Sequence, residues 1–123
     1  MTEKDDIKDG IREEFYPLSF FEKILGKTKP RLKEHYKDGK LNGSRVEFYR
    51  NGYHKQKDYY KEGKLDGLSE HYYDHGQLWS RRKYKDGRRD GLTEIFRENG
   101  QFKSIKTFKV GKEDGPQKTF NKN

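Results

Sequence analysis

The sequence predicts an all-β fold: an elongated, twisted antiparallel sheet of successive β-hairpin repeats, with a 24-residue period and a short N-terminal cap. Shifted on itself by 24 residues the chain returns the same frame without a gap, at Tyr36-Lys37-Asp38-Gly39, Tyr60-Lys61-Glu62-Gly63, Tyr84-Lys85-Asp86-Gly87 and Phe108-Lys109-Val110-Gly111. Further glycines follow at fixed offsets. Gly43, Gly67, Gly91 and Gly115 stand behind Asn42, Asp66, Asp90 and Asp114, and Gly52, Gly76 and Gly100 close the other half of each unit. Asn-Gly and Asp-Gly pairs supply the positive φ of tight turns, and the runs between them have strand length and are rich in Tyr, Phe, Thr and Val. An aromatic series recurs every 12 residues at Tyr36, Phe48, Tyr60, Tyr72, Tyr84, Phe96, Phe108 and Phe120, with Ile24 extending it backward.

Taken in order, residues 1–18 read as a charged leader or short capping segment, with three basic and six acidic side chains. Ile7, Ile11 and Phe15 are spaced by four, as on one helical face, although Gly10 weakens a helix there. Residues 19–123 form the repeat domain. Its first unit, 19–35, is degraded: Phe20-Phe21-Glu22-Lys23-Ile24-Leu25 and the run after Pro30 flank Gly26-Lys27-Thr28 in place of an Asn-Gly turn. Full units run from residue 36. A partial last unit, 108–123, leaves an incomplete hairpin and an open sheet edge.

Three-residue loops at the turns would place even-numbered positions of adjoining strands on one face. That face would gather the aromatic series with Leu68, Leu78, Leu92 and Phe102 as the core. Two-residue loops would instead reverse the parity after each turn. On the other face Trp79, the single tryptophan, would lie with Arg81, Lys83, Tyr59, Tyr73, Lys55, Lys57, Lys103, Arg97 and Ile105.

Composition narrows the function. Charged residues make up 41% and hydrophobic ones 28%, which excludes a deep core, while 9 Tyr, 8 Phe and 1 Trp are too many aromatics for a disordered chain. The net charge is +8, and since residues 1–18 sum to −3, residues 19–123 carry +11. There is no cysteine, hence no disulfide or thiolate metal site. With no apolar run of membrane-spanning length and no basic-then-apolar start, the expected location is cytoplasmic.

These repeated residues resemble the MORN-variant repeat (membrane occupation and recognition nexus), in which Tyr-x-x-Gly-x-x-x-Gly is followed by aromatics and then Asn-Gly-x-Leu. The resemblance covers residues 36–120, with a degraded copy at about 20–35. It implies an elongated sheet of hairpins serving as an interaction module, and bacterial members are commonly described as antitoxin components. In the better-known MORN pattern a Trp lies between the first glycines. Here Lys40-Leu41, Lys64-Leu65 and Arg88-Arg89 stand there.

Candidate chemistry is sparse. The glycines are explained by turns, and Gly26-Lys27-Thr28 lacks the upstream glycine of a P-loop. His71 and His75 are four apart, a spacing that joins ligands on a helix but separates them on a strand, so neither a metal nor a cofactor is expected. Carboxylates follow the turn glycines, the five serines lie in no nucleophile setting, and no catalytic residue or enzyme activity is expected. Repeated positions serve the fold, so function belongs to positions that differ between units. The partner-binding candidates are Trp79, Arg81, Arg82, Tyr59, Tyr73, Lys55, Lys57, Lys83, Arg88, Arg89 and Arg97. The expected function is a non-catalytic protein-interaction module, neutralising or scaffolding a partner with an acidic surface in the manner of an antitoxin or inhibitor. The alternative is a basic protein that binds nucleic acid or an anionic membrane.

Overall fold

In the computed structural model, which describes residues 8–115 and 117–120, the chain forms one open antiparallel sheet. Its elements are β1 (Gly10–Phe15), α1 (Phe20–Ile24), β2 (Pro30–Lys37), β3 (Lys40–Phe48), β4 (His54–Lys61), β5 (Lys64–Leu65), β6 (Gly67–Tyr72), β7 (Leu78–Lys85), β8 (Arg88–Phe96), β9 (Phe102–Lys109), β10 (Lys112–Glu113) and β11 (Lys118–Thr119). The sheet order is β1-β2-β3-β4-β6-β7-β8-β9-β10, with β5 on β4 and β11 on β9. Nine strand positions at ~4.8 Å span roughly 40 Å. The accessible surface is 8715 Å², against about 7000 Å² for a compact monomer of this mass, as befits a sheet with no second layer among the described residues.

One end of each hairpin is a two-residue turn: Lys37 pairs with Lys40, Lys61 with Lys64, Lys85 with Arg88 and Lys109 with Lys112. Both residues between have positive φ, 51° and 76° at Asp38-Gly39, the I′ geometry whose twist matches that of the strands. A two-residue loop reverses parity, so the expected sharing of even positions does not occur. Even positions of β2, β4, β7 and β9 share a face with odd positions of β3, β6 and β8, as in the cross-strand row Glu34, Arg45, Asp58. Leu68 and Leu92 consequently lie on the opposite face, across from Lys83 and Thr107, 40% and 49% exposed.

Asn42-Gly43, Asp66-Gly67 and Asp90-Gly91 are not turns. The first and third are irregularities inside β3 and β8, where the register slips, and the second separates β5 from β6. Their side chains tie one unit to the next. Asn42, Asp66 and Asp90 accept the backbone N–H of Glu62, Asp86 and Val110 at 3.2, 3.4 and 3.5 Å. Alongside, the N–H groups of Gly63, Gly87 and Gly111 donate to the carbonyls of Leu41, Leu65 and Arg89 at 2.8 Å each.

The segment read as a leader supplies another copy of this pattern. Asp9 accepts the N–H of Asp38 at 2.9 Å, and the Lys8 carbonyl accepts that of Gly39 at 2.8 Å. β1 then pairs along β2, a strand where the spacing of Ile11 and Phe15 suggested a helical face; Ile7 lies outside the described residues. Tyr16 donates its hydroxyl to the Phe48 carbonyl at 2.6 Å, as Tyr49 does to Tyr72 at 2.7 Å and Tyr73 to Phe96 at 2.9 Å. The bond from Tyr16 N–H to the Lys29 carbonyl matches those closing the short turns Tyr49–Tyr53, Tyr73–Gln77 and Arg97–Gln101. The connection from Tyr16 to Lys29 is nine residues longer than those turns, and it holds α1. Phe20–Ile24 is therefore an inserted helix, not the strand of a degraded unit. At the other end Lys118 and Thr119 pair with Ile105 and Ser104, so the last hairpin is partly paired where it was expected to stay incomplete.

Among the described residues the buried apolar side chains are Leu32, Val46, Phe96 and Phe108; Glu34, Asp58, Ser69, Ser80 and Thr93 are buried too. The aromatic series thus divides. Tyr36, Tyr60, Tyr84 and Phe108 line the I′-turn end, Phe48, Tyr72 and Phe96 the other end, and a polar row crosses between them. Leu78 is half-buried, Phe102 is 39% exposed yet packs against the Phe96 ring at 4.8 Å, and Phe120 and Ile24 are exposed. In the polar row Glu34 takes hydrogen bonds from Arg12 at 2.6 Å, Arg45 at 2.8 Å and the Tyr36 hydroxyl at 3.1 Å. Burial pushes the Glu34 carboxyl up, but these donors outweigh it and hold it below its ordinary value. A single layer cannot enclose an apolar stripe from both sides, and a charged row that satisfies itself replaces one at the centre.

Candidate interaction surface

The two faces and two ends of the sheet distribute the candidate residues. On the face opposite Glu34, one cross-strand row reads Glu13, Lys33, Val46, Lys57, Glu70, Arg81, Glu94, Ile105, Lys118. Lys57, Tyr59, Arg81 and Lys83 do share this face, but β6 between them contributes Glu70 and β8 beyond them Glu94. Arg81 Nε bonds Glu94 Oε1 at 2.9 Å, which raises the Arg81 pKa, and Lys57 Nζ lies over the Tyr59 ring at 5.4 Å. The row is charge-alternating rather than basic, and each cation in it with an acidic neighbour is partly spent on the sheet.

Trp79, Lys55 and Lys103 are skipped residues at the register shifts of β7, β4 and β9. Trp79 is 43% exposed and sits against the rings of His71 at 5.8 Å and Tyr73 at 6.2 Å. Tyr73 in turn stacks on His75 at 5.5 Å, with its hydroxyl fixed on Phe96, so four rings form one ordered platform. His75 Nε2 lies 3.0 Å from the Glu98 carbonyl, and burial first, then the charge of Arg82, lowers the His71 pKa. Among the described residues no three His, Cys, Asp or Glu side chains gather to hold a metal. Arg97 takes the place of the platform tyrosine one unit on and donates to the Phe120 carbonyl at 2.6 Å.

Three candidates fall elsewhere. Arg82 is on the Glu34 face, between Ser69 and Thr93, with Nη1 on Ser80 Oγ at 3.0 Å, and is thereby separated from Arg81 on the other face. Arg88 and Arg89 are at the I′-turn end of the strands, away from Trp79. The Arg89 guanidinium covers the Phe108 ring at 4.9 Å, whereas Arg88 is exposed.

Arg88 belongs to a feature that the sequence reading passed over. The positions flanking the four I′ turns are all basic and all exposed: Lys37/Lys40, Lys61/Lys64, Lys85/Arg88 and Lys109/Lys112, each pair directly opposed across its hairpin. Opposed like charges cost stability. Successive turns are two strands, ~10 Å, apart, and a side chain built at Gly63 would meet the Lys40 Cβ at 3.9 Å, with the same distance from Gly111 to Arg88, so the row is contiguous. Asp38, Glu62 and Asp86 at the tips offset part of the charge, and Val110 replaces them in the fourth turn. In the sequence the same signal lies in the Lys-Asp-Gly-Lys frame, whose Asp-Gly pair makes the turn and whose lysines flank it.

No described helix is long and apolar enough to cross a membrane. A family profile described as MORN repeat variant matches residues 65–86, from β5 to the I′ turn after β7. A search of curated proteins finds no match. Together with the hairpin architecture, the matched segment supports a MORN-type repeat protein, a non-enzymatic class of module generally associated with protein or membrane-lipid interaction.

Proposed function

We propose that the chain is a non-catalytic protein-interaction module whose I′-turn edge engages the acidic surface of a partner protein, which it neutralises or scaffolds in the manner of an inhibitor. The observation that carries this reading is the row of four opposed basic pairs, kept despite their mutual repulsion. Long-range attraction between such an edge and a carboxylate-rich surface speeds and orients encounter. A protein is favoured over single-stranded nucleic acid because one exposed ring near this edge, Tyr59, is capped by Lys57 Nζ at 5.4 Å, and the others offer little open face for bases: Tyr60 and Tyr84 are half-buried and Phe108 is buried under Arg89. The test is capture from the host at low salt with and without nuclease, then affinity measurement with the purified partner. Nuclease leaves the capture unchanged, and Lys61→Glu with Lys64→Glu weakens binding by about tenfold or more. Recovery of nucleic acid, or unchanged affinity in the double variant, overturns the reading.

The ordered platform around Trp79 favours a second contact on the same partner, with Trp79 as its anchor and Tyr73, Lys55, Lys103 and Arg97 beside it. Trp79→Ala then costs the complex roughly 30-fold or more in affinity while the unfolding midpoint moves little. Because it is the single tryptophan, its emission also reports occupancy.

A further inference from the structure

α1 is the one place where the described chain departs from its repeat, and it does so with apolar residues. Phe20, Phe21, Ile24 and Leu25 are 71%, 74%, 64% and 67% exposed, and no residue of the helix is buried. The excursion is nevertheless well built. Ser19 and Glu22 form a reciprocal capping box, Glu22 is ion-paired with Lys29, and the N–H groups of Leu25, Gly26 and Lys27 close the last turn on Phe21, Lys23 and Glu22. Its base is held by the Tyr16 to Lys29 backbone bond and by Arg50, which donates to the Pro17 carbonyl at 3.0 Å. Apart from the edge-on contact of the Phe20 and Phe21 rings at 5.7 Å, the four apolar side chains bury little surface within the described chain, while the polar ones fix the helix that displays them.

We propose that α1 is a docking ridge that inserts Phe20, Phe21, Ile24 and Leu25 into an apolar cleft, rimmed by carboxylates, on a partner protein. The ridge exposes roughly 500 Å², as large as the biggest apolar patches on ordinary monomers. That is short of the ~800 Å² per subunit that a stable self-associated pair buries; a narrow ridge entering a cleft needs less width and is the familiar helix-in-groove mode. Charge points to an acidic rim. Lys23 and Lys27 are exposed beside the ridge, and the one carboxylate on it, Glu22, is already neutralised by Lys29. A flat bilayer fits less well, because the basic I′-turn row lies at the opposite end of the strands, about 25 Å away for strands of eight residues. A flat bilayer reaches both ends of those strands only with a face of the sheet laid on it. Either face would bring carboxylates, Glu13, Glu70 and Glu94 or Glu34 and Asp58, towards anionic headgroups, whereas a protein can be shaped to reach both ends.

This proposal rests on the reading of the chain as a protein-interaction module, and one experiment separates the two. The full chain carries p-benzoylphenylalanine in place of Phe21, or separately in place of Lys61, and is irradiated in host cells. The expected result is one protein crosslinked from both positions, with the position-21 peptides mapping to a cleft lined by apolar side chains and bordered by Asp or Glu. With that protein purified, Phe20→Ser combined with Phe21→Ser lowers affinity by about tenfold or more at an unchanged melting temperature. Crosslinking from position 61 alone, or unchanged affinity in the double variant, overturns the docking ridge and leaves the module reading standing. No protein from either position overturns both. A crosslink to a second copy, or flotation with phosphatidylcholine–phosphatidylglycerol vesicles that the double variant abolishes, overturns the protein cleft in favour of those occupants.

Discussion

Phe96 and Glu34 are enclosed in the same thin sheet by different means. Phe96 is 9% exposed, packs with a tilted ring against Phe102 at 4.8 Å and has its own carbonyl bonded by the Tyr73 hydroxyl. Phe96→Ala is expected to cost about 3 kcal/mol, and Lys103→Ala, at an exposed skipped position, under about 0.5 kcal/mol. Urea denaturation giving equal midpoints for the two would remove Phe96 from the core. Glu34 is enclosed by charge: its folded pKa lies below its unfolded one, because Arg45, Arg12 and Tyr36 outweigh burial. Its contribution is complete above about pH 4.3 and is lost as pH falls through the lower folded value. His71, lowered by burial and Arg82, adds an earlier loss as pH falls below about 6.5. Glu34→Gln is expected to flatten the lower stage of an acid titration of stability. It also lowers stability at neutral pH by about 2–3 kcal/mol, less than for a fully enclosed pair because Arg12 and Arg45 stay partly wetted.

The turns act as connectors between units as well as reversals of the chain. Each I′ turn hangs on the side chain and carbonyl of the preceding unit, and each short turn at the other end is reached by a tyrosine or arginine from its own unit to the next. Gly100 sits in the last of these short turns with φ +91°, and a Cβ there would meet Gln77 Oε1 at 3.1 Å. Gly100→Val is therefore expected to cost about 1–2 kcal/mol with or without a partner bound. A variant that melts normally but fails to bind would make that glycine a contact residue. The same connectors recur at Lys8 to Tyr16, outside the gapless 24-residue period. That stretch makes the repeat's bonds, but the α1 insertion puts it 33 residues, not 24, ahead of its counterpart Leu41 to Tyr49.

With every strand pairing beside its chain neighbours and no second layer, stability is a sum over units and the interfaces between them. Charge at the I′-turn edge then enters twice, with opposite signs. Raising salt screens Lys37/Lys40 and the three pairs like it, so the free protein is expected to melt at a higher temperature while partner binding weakens. Lys40→Glu makes the first pair attractive and is expected to raise the stability of the free protein by about 0.3–1 kcal/mol at low salt, while lowering affinity. Calorimetry and titration of the same samples check both. Stability and affinity that fall together with salt would mean that the edge is folding surface only.

By itself the sequence determined the all-β class, the 24-residue unit and the hairpin turns, because Asp-Gly, Asn-Gly and periodic aromatics act through backbone angles and strand pleat, which are local. It marked Trp79 and Arg88 as departures between units, and both are exposed. The tertiary structure decided which residues share a face. One residue of loop length inverts every later side chain, so Arg82 parted from Arg81, and Leu68 and Leu92 left the core. It also decided that the centre of one face is Glu34 with Arg12 and Arg45, brought together from three strands up to 33 positions apart in the chain. Lastly, it joined four separate lysine-rich turns into one basic edge and left the apolar α1 uncovered. Those outcomes depend on cross-strand register and on the absence of a second layer, and neither is a property of any single stretch of chain.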